Sequence, residues 1–227
     1  MAEFIELTAA DGFRFPAYEA HPTGAPKGAL VVLPEIFGVN SHICAVTDAY
    51  AAQGYVVLAP ATFHRVQAGV ELGYTPKDVA AGVELKTAVE CLPPPGVMQD
   101  IQATIDYATK FGKVGVLGFC WGGLLTWRSA CQLKGISAAV PFYGGGMTGP
   151  GEAARQPQCP VLAHFGEQDQ SIPLAGVEAF KQAHPEVDVR TYEAGHGFSC
   201  DHRGAFNAVA AAQAREVTLK FFAAHMG

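Results

Sequence analysis

The sequence predicts an α/β fold, a mostly parallel sheet with helices on both faces. Three observations support this. Short continuous apolar runs, such as Ala29-Leu-Val-Val-Leu33 and Tyr55-Val-Val-Leu-Ala59, have the pattern of strands buried on both faces. Stretches with helical patterning separate these runs, as in successive βαβ units. The chain, 227 residues with 49% hydrophobic and 16% charged, is long enough to bury a substantial core.

Taken in order, Phe4–Thr8 and Phe13–Tyr18 alternate around Asp11-Gly12, as a hairpin closed by a DG turn does. Ala29–Leu33 is the first buried strand. Ser41 can cap a helix from His42 to about Gln53, which Gly54 ends. Tyr55–Ala59 is the next strand, stopped by Pro60. Residues 61–95 are weakly patterned, with a helix expected over 78–91 before a triple-proline break. A helix over 97–110 follows, then a strand over 113–117, a glycine turn and a helix over 121–133. Strands at Ile136–Val140 and Val161–Phe165, a helix over 174–183, a strand at Val187–Thr191 and a long helix near 204–224 complete the alternation. No internal repeat or low-complexity linker interrupts it, so residues 1–227 read as one domain.

Composition narrows the function. The formal net charge is −6 and the basic residues are scattered singly, which argues against a nucleic-acid partner or a polybasic membrane anchor. The apolar runs are too short to span a bilayer, and the N-terminal stretch lacks a signal-peptide pattern. Six cysteines without a CxxC pair suggest reduced thiols, hence a cytoplasmic protein, expected as a monomer or weak homodimer.

The stretch GFCWGG, residues 118–123, follows the apolar strand over 113–117 and precedes a helix. Glycines two residues either side of Cys120 suit a sharp strand-to-helix reversal that exposes its central residue. This is the nucleophile elbow of α/β-hydrolases, with a thiol in place of a hydroxyl. The glycines fit neither a dinucleotide fingerprint nor a phosphate loop. A packed core thiol is the competing reading of Cys120 taken alone.

Two downstream residues favour the elbow. Asp169 follows the strand Val161–Phe165 and His196 follows the strand Val187–Thr191, so both should reach the rim where Cys120 sits. The chain order nucleophile, acid, histidine is that of α/β-hydrolases. Asp169 would fix the tautomer of His196, and His196 would accept the thiol proton. After the first buried strand, Leu33-Pro-Glu-Ile-Phe-Gly-Val-Asn40 supplies a loop whose Ile36 amide, with that of Trp121, could form an oxyanion hole. Glu35 is a lone carboxylate in that apolar loop, either solvent-exposed or a proton partner for the thiol.

With PEIFGVN at 34–40, GFCWGG at 118–123, PFYGGG at 141–146, GEQD at 166–169 and GHGF with Arg203 at 195–203, nearly the whole chain resembles the dienelactone hydrolase family. The resemblance implies an α/β-hydrolase fold and a Cys120-His196-Asp169 triad, with Glu35 as a conditional proton partner. It further implies hydrolysis of an enol lactone, dienelactone to maleylacetate, without metal or cofactor. The segment after Pro60 departs from the family pattern. It reads Ala61-Thr-Phe-His-Arg65, without the aspartate that members often carry there. Arg65 and Arg203 are candidates for a substrate carboxylate, or else members of ordinary ion pairs.

Cys200, Asp201 and His202 crowd beside His196, but no second cluster accompanies them in sequence, and no metal site is expected. Phe37, Phe63, Trp121 and Tyr143 are expected as an apolar wall of the substrate pocket or as ordinary core. The partner is therefore a small ester or lactone. The alternatives are a general carboxylesterase and, from a different class, a redox-sensing thiol module without catalysis.

Overall fold

The computed structural model describes residues 2–227. Its strands are β1 (Ala2–Thr8), β2 (Arg14–Ala20), β3 (Ala29–Leu33), β4 (Val56–Pro60), β5 (Val114–Phe119), β6 (Ile136–Phe142), β7 (Leu162–Gly166) and β8 (Asp188–Tyr192). The helices are α1 (Ser41–Ala51), α2 (Pro76–Glu90), α3 (Met98–Ala108), α4 (Trp121–Gln132), the single-turn α5 (Pro150–Ala153), α6 (Leu174–Ala183) and α7 (Ala208–Met226). The strands join in one sheet in the order β1-β2-β4-β3-β5-β6-β7-β8. The β1–β2 hairpin adds antiparallel to β4, and all other pairings are parallel. This is the α/β-hydrolase architecture.

Every residue of β3, β4, β5 and β7 is buried, which explains their unbroken apolar runs. α1 and α7 lie together, Arg215 donating to the Ala49 carbonyl at 3.0 Å. α4 packs with α6 through Trp127 and Phe180, whose rings meet edge to face at 5.1 Å. No described helix is long and apolar enough to cross a membrane.

The departures from the sequence reading have local causes. Asn40, not Ser41, caps α1: its Oδ1 accepts from the Ile43 amide at 3.2 Å, so Ser41 becomes the first helical residue. Two good capping residues stand side by side, and sequence alone does not set the phase. α2 starts two residues earlier than expected, because Thr75 and Asp78 form a capping box with Pro76 in the first turn. α7 starts at Ala208, after the Asn207 side chain accepts from the Ala210 amide.

His164 in β7 is a fully buried histidine of the core. Its Nδ1 lies 2.9 Å from the Tyr192 hydroxyl and its Nε2 2.9 Å from Thr218 Oγ1. Burial pushes this imidazole down to about 3, so it folds neutral. A depressed histidine contributes stability that is present above the unfolded value and is lost as pH falls from about 6.5. Urea unfolding between pH 6 and 4 should therefore lose about 1.4 kcal/mol per pH unit from this group. His164→Gln is expected to remove that part of the slope; an unchanged slope would exclude His164 as its source.

Candidate active site

The sheet order turns at β3. From β3 the chain passes through α1 to β4 on one side, then through α2 and α3 to β5 on the other. The loops leaving the carboxyl ends of β3 and β5 therefore lead to opposite sides of the sheet, at the kind of switch point where ligand sites gather. Leu33 pairs with Gly118, so Glu35 and Cys120 each stand two residues beyond the same rung.

Cys120, the residue before α4, has φ 55° and ψ −116°, well outside the helical region. Its carbonyl already accepts from the Leu124 amide at 3.2 Å, and its amide donates to the Phe142 carbonyl at 3.0 Å. The flanking glycines are there for want of room. A Cβ on Gly118 would overlap the Gly122 carbonyl, and one on Gly122 would overlap the carbonyls of Leu33 and Pro34. Tyr143, just past β6, is the only other non-glycine residue with positive φ among those described, at 37°. Strain is thus concentrated at two adjacent strand ends.

The fold brings Cys120, His196 and Asp169 into one hydrogen-bonded line. His196 Nε2 lies 3.0 Å from Cys120 Sγ, and His196 Nδ1 lies 2.7 Å from Asp169 Oδ2. The other carboxylate oxygen of Asp169 accepts from the amides of Ser171 and Ile172 at 2.7 and 3.1 Å, which fixes its orientation. Cys120 and His196 are half-buried, whereas Asp169 is buried. Burial works against a charged His196, but hydrogen bonds to Asp169 and Cys120 outweigh it and push the imidazole up to about 10. The Tyr143 ring meets the His196 ring edge-on at 5.2 Å, and its hydroxyl bonds Ser199 Oγ at 2.7 Å.

Residues 15–226 match the profile of the dienelactone hydrolase family. The chain belongs to this family. A carboxymethylenebutenolidase of Pseudomonas putida is 31% identical over 232 residues, with 98% of this chain and 97% of that protein covered. A Synechocystis protein, named provisionally as a carboxymethylenebutenolidase, is 37% identical over 224 residues, covering 90% and 89%. A solved structure from Klebsiella pneumoniae, described provisionally as a dienelactone hydrolase, superposes with a TM-score of 0.83 at 28% identity and covers 98% of each chain. The protein is thus a hydrolase of the dienelactone hydrolase type.

In this dienelactone hydrolase family member the amides of Ile36 and Trp121 donate to no described protein atom, and both adjoin the elbow. Glu35 is not exposed. It is 1% accessible, its Oε1 accepts from Arg203 Nη1 at 2.8 Å, and its Oε2 has no partner. Burial opposes the charge of Arg203, but Glu35 and Cys120 close by hold the guanidinium above its usual range. Glu35, Arg203 and Cys120 therefore share one electrostatic environment.

Arg65 lies elsewhere. Its Nε and Nη2 donate to the two oxygens of buried Asp100 at 2.8 and 2.6 Å, its Nη1 donates to Asp11 at 2.8 Å, and it stacks over Phe13. The carboxylate-binding expectation for Arg65 is corrected: its fork is filled by two aspartates 35 and 54 positions away, which sequence spacing does not reveal. Phe37, Phe63, Trp121 and Tyr143 are each at most 2% exposed, so they back the site rather than line an open wall. A groove of about 360 Å³ runs between α1 and α7, but neither Cys120 nor His196 borders it.

The sequence reading missed Glu90, because its segment is polar and only the fold carries it to the elbow. Trp121 Nε1 donates to Glu90 Oε1 at 2.8 Å, Arg128 grips both oxygens of Glu90, and the indole stacks on Phe63 at 5.0 Å. α2 also packs Gly82 directly on the Ile36 carbonyl. One helix thus braces both loops that bear the free amides. Glu90→Ala strands a buried indole N–H, and urea titration should register a loss of about 1–3 kcal/mol.

Proposed function

We propose that this hydrolase opens a small enol lactone, of the dienelactone type, or a related activated ester through a covalent thioester on Cys120. The hydrogen-bonded line from Sγ through His196 to Asp169 is the observation that carries the reading. The Cys120 sulfur attacks the lactone carbonyl with the proton of the Cys120–His196 pair resting on His196 Nε2. The negative charge that gathers on the carbonyl oxygen is met by the amides of Ile36 and Trp121. Collapse of the adduct breaks the ring C–O bond, and the leaving enolate takes the proton back from His196. Water then gives a proton to His196 and attacks the thioester, releasing a carboxylic acid and restoring the thiol. Thioester formation favours stabilised leaving groups such as enolates.

Arg203 is the group suited to a substrate carboxylate, since it stands beside Cys120 with only Nη1 engaged by Glu35. An incoming carboxylate would compete with Glu35 for that guanidinium. The displaced Glu35, with Oε2 already unpartnered, is then a conditional second proton holder beside Cys120, in addition to His196.

The test is the decay of dienelactone ultraviolet absorbance with purified protein, in parallel with an activated aryl ester. Loss of the lactone by the native protein and not by Cys120→Ala supports the proposal. Turnover of the aryl ester alone would assign a general carboxylesterase, and lactone decay surviving in Cys120→Ala would remove the thiol from the mechanism.

A further inference from the structure

Cys200, Asp201 and His202 place metal-binding residue types side by side, and the fold supplies the partner that the local sequence lacks. His42, in the first turn of α1, reaches Asp201 across 159 positions: its Nδ1 lies 3.0 Å from Asp201 Oδ1. His202 Nε2 lies 3.9 Å from the same oxygen. One ligand atom from each of the three residues falls within 4.8 Å of the others. The two imidazoles are 5.4 Å apart, and Tyr74 flanks both edge-on.

The donor set is specific in its chemistry. Two imidazoles and one carboxylate suit zinc, nickel, cobalt or copper, whereas calcium and magnesium ask for oxygen donors. Bonds of about 2.0–2.2 Å to each donor require the three atoms to stand slightly closer together than they do here. The part of the cluster that must move is free to do so. Asp201 and His202 have side chains 64% and 45% exposed, on a loop whose only described polar side-chain tie at these residues is the contact with His42. The remaining part is already set: His42 is 4% exposed and fixed by the packing of α1. The exposed side leaves room for water to complete the coordination shell.

We propose that His42, Asp201 and His202 bind one zinc-class divalent ion, which ties the loop following His196 to the first turn of α1. Its role is positional. Arg203 is the next residue along, its amide donating to the Cys200 carbonyl at 3.1 Å and its guanidinium held on Glu35. A bound ion therefore fixes the base from which Arg203 reaches toward Cys120. The site is independent of the thioester chemistry proposed above and stands or falls without it.

The test is calorimetric titration of tag-free protein with zinc chloride, paired with thermal unfolding across a zinc series. Cys120→Ser serves as the background, because a thiol beside an imidazole is itself a zinc ligand pair. One ion per chain and a Tm that rises with zinc concentration are expected. His202→Ala and Asp201→Asn, both at exposed positions that the fold does not need, should each weaken binding by more than about tenfold, the loss seen even for outer-shell partners. His196→Ala should leave binding unchanged. Absence of binding, binding indifferent to His202→Ala, or binding lost with His196→Ala would each overturn the assignment, the last by moving the ion to the catalytic line. Cobalt provides a second reading: its visible spectrum should show nitrogen and oxygen ligation, and a strong thiolate charge-transfer band would contradict the proposed ligands.

Discussion

Cys120→Ala is expected to lower lactone hydrolysis by about 10⁴-fold or more while leaving the fold intact. The expectation of an intact fold follows from the backbone. The elbow at φ 55° is already occupied by a residue with a Cβ, so alanine adds no strain there. The half-buried thiol also fills little core volume. The substitution removes one of the two hydrogen-bond partners that hold the His196 imidazole at about 10, so that value should fall. Histidine NMR titration reads this directly. A variant that lost activity while His196 titrated as before would mean that the thiol and imidazole do not interact as their 3.0 Å contact indicates. The raised His196 value also has a stability consequence. The charged ring contributes stability that is complete below about 6.5 and is lost as pH rises through about 10, so His196→Ala should flatten unfolding curves compared between pH 8 and 10.

Arg65→Ala is expected to produce the opposite phenotype, a loss of about 3–5 kcal/mol in stability with unchanged kcat/KM in the molecules that remain folded. Asp100 is 2% exposed, and burial already pushes its carboxyl up in spite of Arg65. Removing the guanidinium leaves that acid without its charge partner and frees Asp11 as well. Urea unfolding combined with active-site titration separates the two effects. Asp100→Asn together with Arg65→Met should recover most of the lost stability, because replacing both members of a buried pair is far milder than removing one. A selective rise in KM for acidic substrates in Arg65→Ala would restore Arg65 as a substrate ligand.

The contrast between Arg65 and Arg203 marks what could be read from the sequence. The buried central strands were legible from their apolar runs and the β1–β2 hairpin from its alternation, and the line of Cys120, Asp169 and His196 from residues just beyond the ends of three strands. Such features need only local pattern and the rule that reactive groups gather at carboxyl ends of strands. Partners were not legible. The aspartates that occupy Arg65, the Glu90 that holds the Trp121 indole and the His42 that meets Asp201 all lie across the fold from their partners, where packing alone selects them. Glu35 reads equally well as an exposed loop carboxylate or a buried one. Only the in-register ends of β3 and β5 decide that it is buried. The cap of α1 failed for a smaller reason, a one-residue ambiguity between Asn40 and Ser41.

The line at the site joins residues that are far apart in time as well as in sequence. Cys120 and His196 are separated by 76 positions, and Glu35 and Arg203 by 168. At about 5–20 residues per second, a growing chain carries its thiol for about 4–15 s before the imidazole is even made. During that interval the cysteine has neither the imidazole nor the arginine that stand near it in the folded chain. A chain that ends before its last third therefore keeps Cys120 without His196 or Arg203, and the thiol then has only the reactivity of an unassisted cysteine.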